Sequence, residues 1–75
     1  MSKFKMQINL RTSNSLNSSF QEVEVPNSMD SKMGNSVFKD EMLSVIASNL
    51  PQKISGVDWR KSGWTLESYG SSRKV

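Results

Sequence analysis

The chain has 75 residues without cysteine or histidine, and its 10 basic and 7 acidic residues give a net charge of +3 at pH 7. A chain of this length forms at most one domain with a thin core. It lacks the usual zinc ligands and the side chain that most often serves as a general base at neutral pH. We therefore expect no enzymatic activity, no metal and no cofactor. No apolar run is long enough for a membrane span or a signal peptide, which predicts a cytoplasmic location, or the host cytoplasm for a viral protein.

Alternating apolar and polar residues predict two strands in the first third of the chain. Within residues 3–12, nine successive residues alternate between polar and apolar side chains, as a strand with one buried face does. Residues 20–26 repeat the pattern up to Pro26, and the Ser- and Asn-rich stretch 12–19 predicts a loop between them. Antiparallel pairing about the middle of this loop would bring Met6 close to Val25.

This pairing also predicts the charges on the outer face of the two strands. The side chains expected there are Lys5, Asn9, Arg11, Glu22 and Glu24. Cations and carboxylates on neighbouring strands are favourable partners. The basic residues of the first strand are therefore expected to be largely neutralised, which weakens the case for a nucleic-acid groove there.

One amphipathic helix is predicted over residues 36–51, because its apolar residues recur at helical spacing. Asn35 or Ser36 can cap its start, and Pro51 ends it. Residues 53–70 then predict a hairpin whose turn contains Gly63 in a positive-φ conformation.

These elements predict an α+β fold of ββαββ order, with one helix packed on a mostly antiparallel four-stranded sheet. The predicted domain spans residues 1–70. Residues 71–75 are polar and basic, and they are expected to form a flexible tail.

The segment Trp59-Arg60-Lys61-Ser62-Gly63-Trp64 supports two interpretations. In one, the tryptophans stack on the bases of a single-stranded nucleic acid, and basic side chains contact phosphates. That site would comprise Trp59, Arg60, Lys61, Trp64, Arg73 and Lys74. In the other, both tryptophans belong to the core beneath a solvated turn. The second is favoured because they alternate in phase with Val57 and Leu66.

A sheet with one helix leaves one face open, and exposed apolar residues there are candidates for contact with a partner. Phe20 and Tyr69 are predicted to point to this face, and Met33 to lie in the loop before the helix. Arg60 and Lys61, at the tip of the hairpin, could add charged contacts at the rim.

In architecture and composition, the short cysteine-free chain resembles small bacteriophage accessory proteins that bind and block a host enzyme. This resemblance implies a protein-binding module, with inhibition of a host protein as its expected activity. Two alternatives remain: a single-stranded nucleic-acid-binding protein that uses the Trp59–Trp64 hairpin, and a structural subunit that self-associates through its open sheet face.

Overall fold

The computed structural model describes all 75 residues, and it contains five strands, one α-helix and two short 3-10 helices. In chain order they are β1 (Ser2–Arg11), β2 (Leu16–Val25), the first 3-10 helix (Asn27–Lys32), the second 3-10 helix (Ser36–Phe38), α1 (Lys39–Asn49), β3 (Lys53–Ile54), β4 (Val57–Asp58) and β5 (Thr65–Lys74). An antiparallel sheet has the order β2-β1-β5, while β3 and β4 form a separate ribbon. One helix with antiparallel strands is therefore confirmed, but the predicted four-stranded sheet is wrong.

Residues 53–64 lie outside the three-stranded sheet for a local reason. Ser55 and Gly56 both have positive φ, 53° and 80°, and they close a tight turn between β3 and β4. A second turn follows, in which the amide of Trp64 donates to the carbonyl of Trp59 at 2.9 Å and Gly63 has the predicted positive φ, at 83°. The chain then pairs with β1 rather than with β4, so the predicted hairpin is replaced by two consecutive turns.

The loop between β1 and β2 is shorter than the sequence predicts. The amide of Thr12 donates to the carbonyl of Ser15 at 2.9 Å, and its hydroxyl accepts from the amides of Asn14 and Ser15. This local bonding confines the turn, so the following Ser and Asn residues continue as strand. Met6 consequently faces Gln21 and not Val25. The observed register of β1 and β2 differs from the predicted one by an even number of residues, so each side chain keeps its predicted face.

The core lies between one face of the sheet and α1. Met6 and Ile8 from β1 and Met42 and Ile46 from α1 have no solvent exposure. The predicted helix starts late: residues 36–38 form a 3-10 turn, and the side chain of Asn35 accepts from the amide of Val37 at 3.0 Å. The remaining buried apolar residues are Phe4, Leu10, Val23, Val25, Met29, Leu50, Ile54 and Trp59.

A β-bulge in β5 reverses the predicted orientation of Tyr69. Asn9 faces Ser68 and Leu10 faces Leu66, so Glu67 is an extra residue with no partner on β1. The side chains between this bulge and the next irregularity, after Gly70, change face, and Tyr69 packs against the core on the helix side. Its hydroxyl accepts from the amide of Gly34 at 2.9 Å. The prediction that Tyr69 lies on the open face is therefore wrong.

The residues predicted as a flexible tail continue β5. Lys5 faces Arg73 and Phe4 faces Lys74, and the amide of Val75 donates to the carbonyl of Lys3 at 2.9 Å. The strand extends this far because β1 begins at residue 2 and leaves its whole edge free to pair. Their polar character predicted disorder, but backbone pairing does not require apolar side chains.

The end of β5 is also held by Asp30 of the first 3-10 helix. The carboxylate of Asp30 accepts from the ammonium group of Lys74 at 3.0 Å and from the hydroxyl of Ser2 at 2.9 Å. These two donors, Lys74 first, hold the pKa of Asp30 below its usual range. The charged form of Asp30 therefore favours the folded state.

This interaction predicts an acid-sensitive part of the stability. Because folding lowers the pKa of Asp30, its carboxylate stabilises the folded state. This contribution is complete above about pH 4, near the pKa in the unfolded chain, and it is lost as pH falls through the pKa in the folded protein. We expect Asp30→Asn to reduce the loss of stability between neutral and acidic pH, as measured by urea unfolding at both. Asp40→Asn, on the exposed surface of α1, is the control. Equal acid sensitivity of wild type and Asp30→Asn would contradict the assignment.

Candidate functional site

The face of the sheet opposite α1 carries an exposed aromatic ring at Phe20. Side chains of β1 alternate between the core and this open face, and β2 follows the same alternation. Phe20 lies on the open face, as predicted, and is 59% exposed. A phenyl ring left in water on this face is a candidate contact for a partner.

A shallow depression of about 420 Å³ lies beside this ring, lined by Lys5, Phe20, Ser71 and Arg73. Its place in the sheet follows from the register. Gln7 of β1 faces Phe20 on one side and Gly70 on the other. A Cβ atom built on Gly70 would meet no atom within 4 Å, so the missing side chain leaves open space on β5.

Two cations of the depression lie on adjacent strands without a carboxylate partner. Lys5 and Arg73 are directly opposed in the β1–β5 register. Glu22, the cross-strand neighbour of Lys5 on β2, makes its ion pair with Lys3 at 3.8 Å instead. Like charges in this arrangement repel each other. An anion at the depression would relieve that repulsion.

The backbone of β5 is distorted where it borders the depression. Gly70 faces Gln7 and Arg73 faces Lys5, so Ser71 and Ser72 together oppose a single residue of β1. Ser71 has a φ of 50°, a left-handed conformation that costs a residue with a Cβ about 1 kcal/mol. Bulges of this kind are common beside binding sites, where they change the direction of a side chain.

The open face beyond the depression is held by hydrogen bonds between its own side chains. The hydroxyl of Ser18 donates to the amide oxygen of Asn9 at 2.7 Å, and the amide nitrogen of Asn9 donates to Ser68 at 2.8 Å. Arg11 pairs with Glu67 at 3.6 Å. These residues satisfy one another, so the unpaired cations of this face are concentrated at the depression.

The tryptophan-rich segment does not form an open stacking platform. Trp59 is 4% exposed, and its indole nitrogen donates to the carbonyl of Pro51 at 2.9 Å. The guanidinium of Arg60 lies over this ring, 4.3 Å from its centroid, and donates to the carbonyl of Ala47. Trp64 is half-buried against the core, whereas Lys61 is exposed. Trp59 therefore lies in the core, as the favoured interpretation expects, whereas Trp64 only packs partly against it.

The other predicted site residues are dispersed over the molecule. Met33 is half-buried against the core, and Lys74 pairs with Asp30. Of the predicted residues, only Phe20 and Arg73 meet at the depression, although they were assigned to different candidate sites.

Sequence reasoning missed two residues of the depression, Lys5 and Ser71. Lys5 was assigned to the open face, but its proximity to Phe20 and Arg73 depends on the register of two strand pairs. Ser71 could not be predicted, because a bulge within a polar segment does not change the pattern of apolar residues in the sequence.

Comparisons with protein-family models, with curated proteins and with solved structures give no match to this chain. No helix of the structure combines the length and apolar character needed to cross a membrane. No three acidic side chains converge in a way that could hold a metal ion.

Proposed function

We propose that this chain is a non-enzymatic protein-binding module that docks a partner on the open face of its sheet. The observation that carries the proposal is the exposed ring of Phe20 beside the unpaired cations Lys5 and Arg73. The expected partner presents an apolar side chain next to a carboxylate. An accessory protein of a phage or mobile element that inhibits a host protein would use such a surface.

The chemistry of the depression supports such a partner in two ways. Phe20 offers apolar area that loses contact with water on binding, and aromatic anchors of this kind contribute much of the affinity of protein interfaces. Lys5 and Arg73 offer charge that selects a carboxylate and orients it. A small, rigid sheet also loses little conformational entropy when it binds.

Nucleic acid is the second candidate, because a ring beside two cations can also stack a base and contact phosphate. The charge of the whole face favours protein. Glu22, Glu24 and Glu67 lie on or border the same face, and they would repel a phosphate backbone that runs across the sheet. The buried ring of Trp59 also leaves the original nucleic-acid hypothesis without its main stacking surface.

The proposal can be tested by selecting random displayed peptides on the immobilised protein. We expect the enriched peptides to carry Asp or Glu near an aromatic or aliphatic residue. Their affinity should fall for Phe20→Ser and for Arg73→Gln. It should be unchanged for the control Val37→Ser, which removes an apolar side chain that is 81% exposed in the second 3-10 helix, outside the sheet.

A labelled single-stranded oligonucleotide in the same assay tests the second candidate. Tight binding of this oligonucleotide that weakens steeply with salt, without enrichment of acidic peptides, would overturn the protein-binding proposal.

A side chain added at Gly70, which precedes the lining residue Ser71, gives an independent prediction. Gly70→Val should leave stability unchanged or raise it by about 0.5–1 kcal/mol, because glycine is unfavourable inside a strand and the new side chain meets open space. Affinity for the selected peptides should fall about tenfold, near 1.4 kcal/mol, because the added side chain stands on β5 next to the depression and hinders a bound peptide. Thr65→Val, at the other end of β5, is the control. Full peptide affinity in a folded Gly70→Val variant would show that the binding site lies elsewhere on the protein.

A further inference from the structure

The outer edge of the sheet at β2 is unusually open to pairing. β2 has ten residues, pairs with β1 without a register shift, and contains no proline or lysine. Strand edges are ordinarily protected by bulges, proline, charged side chains (lysine above all) or short length, and of these features β2 has only the charges of Glu22 and Glu24. The opposite edge, β5, has two bulges and ends in Arg73 and Lys74. The two edges of one sheet therefore differ in their capacity to accept another strand.

The hydrogen-bond phase identifies the free backbone groups of β2. The bond from Thr12 to Ser15 closes the β1–β2 turn, and bonded pairs recur at every second residue from there. The odd-numbered residues of β2 therefore bond to β1. The outward N–H and C=O groups belong to the even-numbered residues, Leu16, Ser18, Phe20, Glu22 and Glu24. The same five residues carry the side chains of the open face.

These free groups fit a second copy of the same strand in one particular register. In a twofold antiparallel pair, centring the axis on Phe20 joins all five outward-facing residues of one copy to all five of the other. Glu22 then faces Ser18, and Glu24 faces Leu16. Centring on Glu22 would oppose two carboxylates, and centring on Ser18 would shorten the overlap. Centring on Gln21 or Ser19 would oppose no carboxylates but would pair only four of the five outward-facing residues, so overlap selects the register centred on Phe20.

We propose that two copies of this chain pair antiparallel along β2, with Phe20 facing Phe20 across the twofold axis. The two sheets become one six-stranded sheet with both helices on the same face. The two phenyl rings meet at the centre of a continuous open face. This inference is independent of the proposed function, since a monomer could equally bind a partner at its depression.

Charge substitutions at Ser18 test the dimer and exclude a register in which residue 18 faces itself. In the proposed pair, residue 18 faces Glu22 of the second copy at two symmetric positions. Ser18→Lys should therefore tighten the dimer and Ser18→Glu should weaken it, each by about two- to thirty-fold in dissociation constant. Both variants lose the bond from Ser18 to Asn9 equally, so they are matched. Sedimentation velocity across a dilution series, at low salt, measures the effect.

Ser13→Lys and Ser13→Glu are the controls, because Ser13 lies in the turn outside the paired strand. They should leave the dissociation constant unchanged. A chain that stays monomeric at every concentration overturns the proposal. This holds even if the edge of β2 binds an extended peptide in place of a second copy. Equal shifts in the same direction for both Ser18 variants also overturn it, because they indicate a pair centred on residue 18.

Discussion

Replacing Trp59 with alanine should lower the free energy of unfolding by about 3–5 kcal/mol, which approaches the whole stability of a domain this small. The ring is buried and its indole nitrogen is bonded to the carbonyl of Pro51. Its outer surface is covered by the guanidinium of Arg60, which also bonds the carbonyl of Ala47 near the end of α1. Removing the ring therefore empties part of the core and releases these attachments.

Two further variants separate the causes. Trp59→Phe keeps an aromatic ring but loses the hydrogen bond, and it should cost about 1–3 kcal/mol from the unpaired carbonyl and the smaller ring. Trp64→Ala, at a half-buried position, should cost less than Trp59→Ala. Chemical denaturation gives all three values. A greater loss at Trp64 than at Trp59 would contradict the assignment of Trp59 as the buried ring.

Deleting residues 71–75 should cost about 2–4 kcal/mol, from several backbone hydrogen bonds and the exposure of apolar surface they cover. The deletion removes the pairing of β5 with the start of β1, including the bond from Val75 to Lys3. It also removes the ion pair between Lys74 and Asp30. Deletion of a flexible tail would not change the free energy of unfolding, so this deletion distinguishes a paired end of β5 from a flexible tail.

Thermal and urea unfolding of the shortened chain measure this cost. Hydrogen exchange should accelerate at the β1 amides that face β5, and remain slow in α1. Lys74→Met is the matched variant, because it removes only the ammonium group and should cost much less than the deletion. Unchanged stability together with unchanged exchange in β1 would contradict the extended β5.

Elements with regular periodicity could be predicted from the sequence. β1, the end of β2 and α1 all show their buried faces as a repeat, because the side chains that fill the core must return at every second residue or along one helical stripe. The positive φ of Gly63 was predictable for a similar reason, since glycine alone adopts it without strain.

The features that form the candidate site interrupt this periodicity. The extra residue Glu67 reverses the face of Tyr69, and the bulge at Ser71 brings Arg73 beside Lys5. Each insertion depends on pairing with a strand about 60 residues away in sequence, which local patterns do not encode. The ring of Phe20 could be assigned to the open face, but its neighbours on β5 could not.

The most direct test of the proposed binding face is nuclear magnetic resonance titration of the labelled protein with an acidic peptide from the display selection. We expect the largest chemical-shift changes at Lys5, Phe20, Ser71 and Arg73, which line the depression on three strands, and at their neighbours Gln7 and Gly70. We expect small changes at Arg60 and Lys61 and along α1. Changes concentrated at residues 59–64, with none around Phe20, would contradict the proposed binding face.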